Sequence, residues 1–225
     1  MSSQEEKIAA ARAALEEVRA GMKLGLGTGT TSEEFVKLLG RSDVARHVRC
    51  TCTSEATEAL ARSLGIAIEP LASLAPLDLA IDGADEIDDA LRLIKGRGGA
   101  LLREKIVEQQ AVRFIVIADE SKLVARLGVG PVPIEVTPFA VEVLLRRFTA
   151  MELRPSLRMA GAVPRSTDEG NEIVDIRIPD SADIAAVVAQ LHECAGVVET
   201  GFFPTEATDA FVATRDGVRR LARNR

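Results

Sequence analysis

Apolar residues recur at helical spacing over the first twenty positions, at Ile8, Ala11, Leu15 and Val18, and Gly21 closes the run. The pattern predicts an opening helix. "MKLGLGTG" then reads as a short strand entering a glycine turn, and "TTSEEFVKLLG" as a helix closed by Gly40. "HVRCTCT" reads as a strand, "SEATEALARSLG" as a helix capped by Ser54, and "IAIEP" as another short strand. "LDLAIDG" and "RFIVIAD" are apolar without alternation, as strands buried on both faces of a parallel sheet are, and the helix "LLREKIVEQQA" separates them. Such strand–helix alternation predicts a parallel sheet covered by helices, with ligands at the C-terminal ends of its strands.

After "SKLVARLG" the rhythm changes. "VPIEVTP", "MELRPSLRMA", "EIVDIRI" and "GVVETGFF" read as strands, and "FAVEVLLRRFTA" and "SADIAAVVAQLHECA" as helices. Their order, β-α-β-β-α-β, is the ferredoxin-like arrangement. The expected fold is therefore α/β: a Rossmann-like parallel-sheet main domain over 1–127 plus 204–225, with a smaller ferredoxin-like α+β domain over 128–203. "DAFVATRDG" offers a last strand, and the basic tail reads as a short helix returning to the main domain.

Composition narrows the function classes. A chain of 225 residues can bury a sizeable core. No apolar run approaches the roughly 20 residues of a membrane span. The charged start, "MSSQEEKIAAARAAL", has no signal-peptide core, so a cytoplasmic location is expected. A net charge of −6 and the absence of Trp and Tyr argue against nucleic-acid binding. Cys50, Cys52 and Cys194 are odd in number, and the first two stand too close along one strand for a bridge. They read as small hydrophobes. His47 and His192 lie in charged helical contexts and read as surface residues, which leaves no cysteine–histidine zinc cluster.

The chemistry concentrates in three clusters that follow strands. "GLGTGTTS" lacks the third glycine of a dinucleotide fingerprint and the Gly-Lys-Ser/Thr ending of a Walker loop. It is either an anion-holding turn at a helix N-terminus or a tight turn with a capped helix. "DGADEIDD" is no calcium loop, because Ala84 and Glu86 break its pattern. Glu86, Asp88 and Asp89 read as a solvated acidic turn, whereas Asp82 and Asp85, at the strand end, can accept bonds from sugar hydroxyls. "KGRGGALLREK" brings Lys95 on a glycine-rich loop into a helix that carries Glu104. Glu104 is either a pocket base or an exposed residue paired along its helix. Lys122, in "ADESKL", is a further strand-end lysine or an ordinary surface one. Together these residues suit a small phosphorylated sugar or polyol.

"GLGTGTTS", "DGADEID", "KGRGGALLREK", "IADESK" and "VPIEV", in this order and spacing, closely resemble type A ribose-5-phosphate isomerases over nearly the whole chain. The resemblance implies interconversion of ribose 5-phosphate and ribulose 5-phosphate in the pentose phosphate pathway, with neither organic cofactor nor metal. It also implies a homodimer or homotetramer, with the smaller domain at the interface. Carried over by motif, Thr28, Gly29, Thr30 and Thr31 resemble the family's substrate loop. Asp82, Gly83, Ala84 and Asp85 resemble its second binding segment, and Lys95, Gly96, Arg97 and Gly98 its third. Lys122 resembles a further substrate contact, and Glu104 the proton acceptor. Lys95 is then the electrophile, with Asp82 or Asp85 assisting ring opening. Arg97 stands where many relatives have glycine, and Leu102 where some have threonine.

Two other classes share the broad fold. A phosphosugar sensor would carry a DNA-binding segment, for which this chain has no spare basic stretch. A coenzyme A transferase needs a differently placed glutamate, and an aminosugar-phosphate deaminase a catalytic histidine. Neither His47 nor His192 has a pocket-like context.

Overall fold

The computed structural model describes residues 3–223. Helix α1 (Ser3–Leu15) leads into β1 (Lys23–Leu26), α2 (Thr30–Gly40), β2 (Arg49–Cys52), α3 (Glu55–Ser63) and the single turn α4 (Leu71–Leu74). The chain continues through β3 (Leu77–Gly83), the short strands β4 (Glu86–Ile87) and β5 (Leu93–Ile94), α5 (Leu101–Gln109) and β6 (Ala111–Asp119). A second group follows: β7 (Val132–Val136), α6 (Val141–Ala150), β8 (Ser156–Leu157), β9 (Met159–Ala160), β10 (Val163–Pro164), β11 (Glu172–Ile176), α7 (Ile184–His192) and β12 (Val197–Thr200). The last strands are β13 (Phe202–Phe203), β14 (Asp209–Thr214) and β15 (Gly217–Ala222).

The main sheet has the order β15-β14-β6-β3-β1-β2, parallel except for the β14–β15 hairpin. One face is sealed by Ala10, Ala11 and Ala14 of α1 with Phe35, Val36 and Leu39 of α2. On the other, Phe114, Val116 and Val212 of the sheet pack with Leu93 and Phe203. From β1 the chain crosses to β2 on one side, and β3 lies on the other. The strand order therefore reverses between β1 and β3, which opens a crevice at their C-terminal ends.

The smaller sheet has the order β12-β7-β11-β8, all antiparallel, over a core of Ile134, Leu144, Phe148, Val174 and Leu191. Numbered within the unit, that is 4-1-3-2, the ferredoxin-like order the alternation predicts. The two sheets meet at Gly201. Its backbone joins Pro133 O to Lys95 N, and a Cβ there would stand 2.3 Å from Lys95 O. This is why "GVVETGFF" is two strands rather than one: β13 leaves the small sheet to pair with β5.

Four expectations are corrected. The basic tail is not a helix over its described residues; Gly217–Ala222 pairs along β14, and Arg220 reaches Asp209, while 224–225 lie outside the described residues. "IAIEP" makes one isolated bridge, Cys50 to Ile68, in place of a strand. The opening helix stops at Leu15, and Val18 packs from the turn beyond it. Glu86 and Asp88 are buried, leaving Asp89 alone in solvent. Glu86 accepts the backbone N–H of Gly128 and Gly130, and Asp88 closes a turn through Ala90 N, Arg92 N and the Arg92 side chain.

Candidate active site

The crevice between β1 and β3 holds a pocket of about 120 Å³. It gathers Thr28–Ser32, Gly83–Asp85, Lys95, Gly96, Gly98, Glu104 and Lys122 from elements far apart in the chain. Of the residues expected from the sequence, all but Asp82 and Arg97 line it. A wider cavity, about 1040 Å³, lies on the small sheet around Arg126, Arg154 and Arg177, but no carboxylate–lysine cluster faces it.

The floor is built first. Gly27 follows β1, and a Cβ there would fall 2.0 Å from the Asp82 carboxyl, so only glycine lets β1 pass this close. Asp82 Oδ1 accepts from Thr28 N at 3.0 Å, Ser32 Oγ at 2.7 Å and Gly83 N at 2.6 Å. Its other oxygen lies 2.9 Å from Lys95 Nζ. Asp82 is thus a buried anchor beneath the pocket, with its acceptors committed to protein donors.

Gly29, at φ 109°, turns the chain into α2 with no side-chain cap. The first amides of α2 and the hydroxyls of Thr30 and Thr31 are left facing the pocket, a ready anion seat. Lys7 of α1 donates to Thr30 Oγ1 at 2.9 Å and lines the pocket, as Lys122 does. Lys7 and Ser32 were missed by sequence reasoning. Ser32 lay inside a motif already singled out, but nothing local marks a lysine on an N-terminal amphipathic helix as a site residue.

At the back, Lys95 is almost wholly buried, and one ammonium serves several acceptors. Nζ lies 2.5 Å from Gly83 O, 2.9 Å from Asp82 Oδ2, 3.2 Å from Glu108 Oε1 and 3.6 Å from Glu104 Oε2. Burial alone would lower the Lys95 pKa, but Asp82, Glu104 and Glu108 together hold it well above the ordinary lysine value. Glu104 is 3 % exposed, which removes the reading of a solvated helix residue. Desolvation pushes its pKa up to about 8 against the opposing pull of Lys95, and Asp82 and Asp85 add to the rise. A buried carboxyl that titrates near neutrality results.

Asp85 sits at the rim, where its Oδ2 accepts Arg97 N. The Arg97 side chain turns out of the pocket to Glu86. The glycine loop is braced from the small sheet: Arg158 donates to Gly96 O and Arg97 O, and Arg165 to Gly98 O. Among the described residues, no three His, Cys, Asp or Glu side chains converge as a metal site. Cys50 and Cys52 are pushed up to about 12, chiefly by burial, and form no nucleophile.

Fold and site together define an α/β enzyme for a small phosphorylated sugar, equipped for proton transfer beside a fixed cation. The model of the ribose 5-phosphate isomerase A (phosphoriboisomerase A) family matches residues 49–217. The ribose-5-phosphate isomerase A of Sphingopyxis alaskensis is 47% identical over 220 residues, 95% of this chain and 94% of the relative. That of Deinococcus radiodurans is 46% identical over 210 residues, 92% of each chain. A solved D-ribose-5-phosphate isomerase in complex with phospho-erythronic acid superposes with a TM-score of 0.94 at 40% identity, covering 99% of this chain and all of the other. The Methanocaldococcus jannaschii ribose 5-phosphate isomerase A gives 0.92 at 36%, over 98% of this chain and all of the other. The chain belongs to the ribose 5-phosphate isomerase A family. It interconverts ribose 5-phosphate and ribulose 5-phosphate.

Proposed function

We propose that Glu104 is the general base of this isomerisation, in the non-oxidative branch of the pentose phosphate pathway. One observation carries the reading: a buried carboxylate of raised pKa and a buried ammonium, 3.6 Å apart, both line the pocket that also holds the anion loop. Exchanging an aldose for a ketose moves one proton between C2 and C1 through a cis-enediol(ate), and a single carboxylate can remove and return it. Such a base contributes roughly 10²–10⁴-fold. The negative charge that develops on the C1/C2 oxygens needs a fixed partner, and Lys95 supplies it without a metal ion or organic cofactor.

The α2 N-terminus, Thr30, Thr31, Lys7 and Lys122 take the phosphate, with Thr28, Gly29, Gly83, Ala84, Gly96 and Gly98 shaping the walls. Asp85, at the rim, handles hydroxyl protons during ring opening, while Asp82 orients Lys95 and the Thr28 loop. Arg97 contributes its backbone only.

Residues 128–203 serve as a separate domain at the interface of a homodimer or homotetramer. Supporting this, Phe139, in the turn that leads into α6, is fully exposed, and Val143, in the first turn of α6, is more than half exposed. No described helix is long and apolar enough to cross a membrane, and a cytoplasmic location accords with the pathway.

The complex of a relative with phospho-erythronic acid supplies the test. A carboxylate in place of the enediolate oxygens should seat against Lys95 while the phosphate occupies the α2 loop. That compound should therefore compete with ribose 5-phosphate, and Lys95→Met should weaken it by about 100-fold, the size of a lost charge-assisted contact in a dry site. Inhibition that is not competitive, or that survives Lys95→Met, would contradict the proposed site.

A further inference from the structure

Glu108 lies one helical turn beyond Glu104 and is 2 % exposed, deeper than the pocket lining. Glu104, Glu108 and Asp82 surround a single buried ammonium, Lys95. If all three carboxylates were ionised, the cluster would carry a net charge of −2 away from water. A desolvated imbalance of that size is relieved by taking up protons. The contacts say which side chain holds one. Asp82 Oδ1 has three protein donors, and Glu104 faces the pocket. Apart from the Lys95 ammonium, no donor reaches either oxygen of Glu108 or Asp82 Oδ2, and the Glu108 and Asp82 carboxyls lie within bonding reach of each other. Two carboxyls facing each other with only one shared ammonium beside them are reconciled by one proton.

We propose that Glu108 is a positioning residue held as a neutral acid, which donates to Asp82 and so leaves Lys95 an N–H for the substrate. The count of donors explains the benefit. Gly83 O at 2.5 Å and Asp82 Oδ2 at 2.9 Å take two of the three Lys95 protons, and the third lies between Glu108 at 3.2 Å and the pocket side, where Glu104 at 3.6 Å is beyond hydrogen-bond distance. An ionised Glu108 would claim that third proton from behind, whereas a neutral Glu108 whose proton points at Asp82 competes weakly. The enediolate oxygen then finds a free donor. Burial, the largest cause, with Asp82 and Glu104 nearby, drives the Glu108 carboxyl well above the usual carboxylate range, against the opposing effect of Lys95. The charged groups facing Glu108 are Asp82 at the end of β3, Lys95 from the loop after β5, and Glu104 on its own helix. The proposal rests on Lys95 and Glu104 meeting the substrate as described above.

Infrared difference spectroscopy on the full-length protein at pH 7 tests it, in the Glu104→Gln background so that Glu104 cannot contribute. One protonated-carboxyl C=O band should be present there and vanish in Glu104→Gln/Glu108→Gln. A spectrum in which Glu108→Gln removes no such band would overturn the proposal, whatever the fate of the Glu104 assignment, which is judged by turnover. Kinetics give a second reading. Glu108→Leu, which cannot donate to Asp82, should lower kcat by about tenfold or more with KM changed by less than about threefold. Glu108→Gln, with an amide N–H in place of the acid proton, should restore most of that loss. The acid limb of its kcat/KM profile should stay in place, since no charge beside Glu104 is removed. A limb shifted about one unit or more to lower pH would mean that Glu108 is ionised, and would refute the assignment.

Discussion

At the scale of single residues, the site is a problem in burying charge. Glu104 gains its raised pKa mainly from desolvation, and a base must be ionised to act. With Glu104 as the proposed base the sign is fixed: its protonation should silence the enzyme. The acid limb of kcat/KM, which reports the free enzyme, should climb through about pH 8, and a steady-state profile from pH 5.5 to 9.5 would show it. A plateau already reached near pH 5 would contradict the burial argument. Gly27 offers a steric counterpart. Gly27→Ala places a methyl 2.0 Å from the Asp82 carboxyl, which must move and take Lys95 with it. We expect kcat to fall by about 100-fold, as for other displacements of roughly 1 Å, with the fold retained by circular dichroism.

Residue by residue, the sequence disclosed what strand ends and glycine loops mark. Thr28, Asp85, Lys95, Glu104 and Lys122 all reach the pocket they were assigned to. It did not disclose depth. Asp82 and Asp85 look equivalent in "DGADEID", yet one is an anchor under the floor and the other a rim residue, because only the first points back at β1. Glu86 and Asp88 looked solvated because acidic clusters usually are; tertiary packing gave both buried partners. Glu108 was the legible omission, since its spacing from Glu104 places both carboxylates on one helix face.

At the scale of elements, the long buried strands and amphipathic helices were readable, and the connections were not. β3 and β6 announce themselves as unbroken apolar runs. The tail carried an Asp216-Gly217 pair, a hairpin signal that outweighs the helical look of "VRRLARNR". The hairpin is secured by charge: Asp209 is nearly buried and accepts from Arg113 of β6 and Arg220 of β15. Burial would raise its pKa, but the two guanidinium groups together more than offset that and lower it. Its contribution to stability is thus present above the unfolded aspartate pKa and lost as pH falls through the lowered folded value. Asp209→Ala should cost about 1.5–3 kcal/mol at pH 7, read from urea unfolding midpoints, and much less at pH 3. An equal cost at both pH values would mean that the side chain acts by packing alone.

At the scale of the whole molecule, neither sheet makes the site by itself. The main sheet supplies the crevice, and the small sheet grips the glycine loop through Arg158, Arg165 and Gly201. Those crossings were invisible in the sequence, which shows two patterns in succession but not that the second reaches back onto the first. The architecture explains how a floor of buried charge is kept dry and in register. Asp82 fixes Lys95, Lys95 faces Glu104, and Glu104 opens to the pocket.

The central claim is that one proton passes through Glu104. The most direct measurement is turnover of ribose 5-phosphate by Glu104→Gln beside wild type, followed by NMR in D₂O with EDTA present, with binding of phospho-erythronic acid measured in parallel. We predict that wild type forms ribulose 5-phosphate and that the variant is slower by roughly 10²–10⁴-fold while still binding the analogue. A variant that binds the analogue and turns over within about threefold of wild type would show that another group carries the proton.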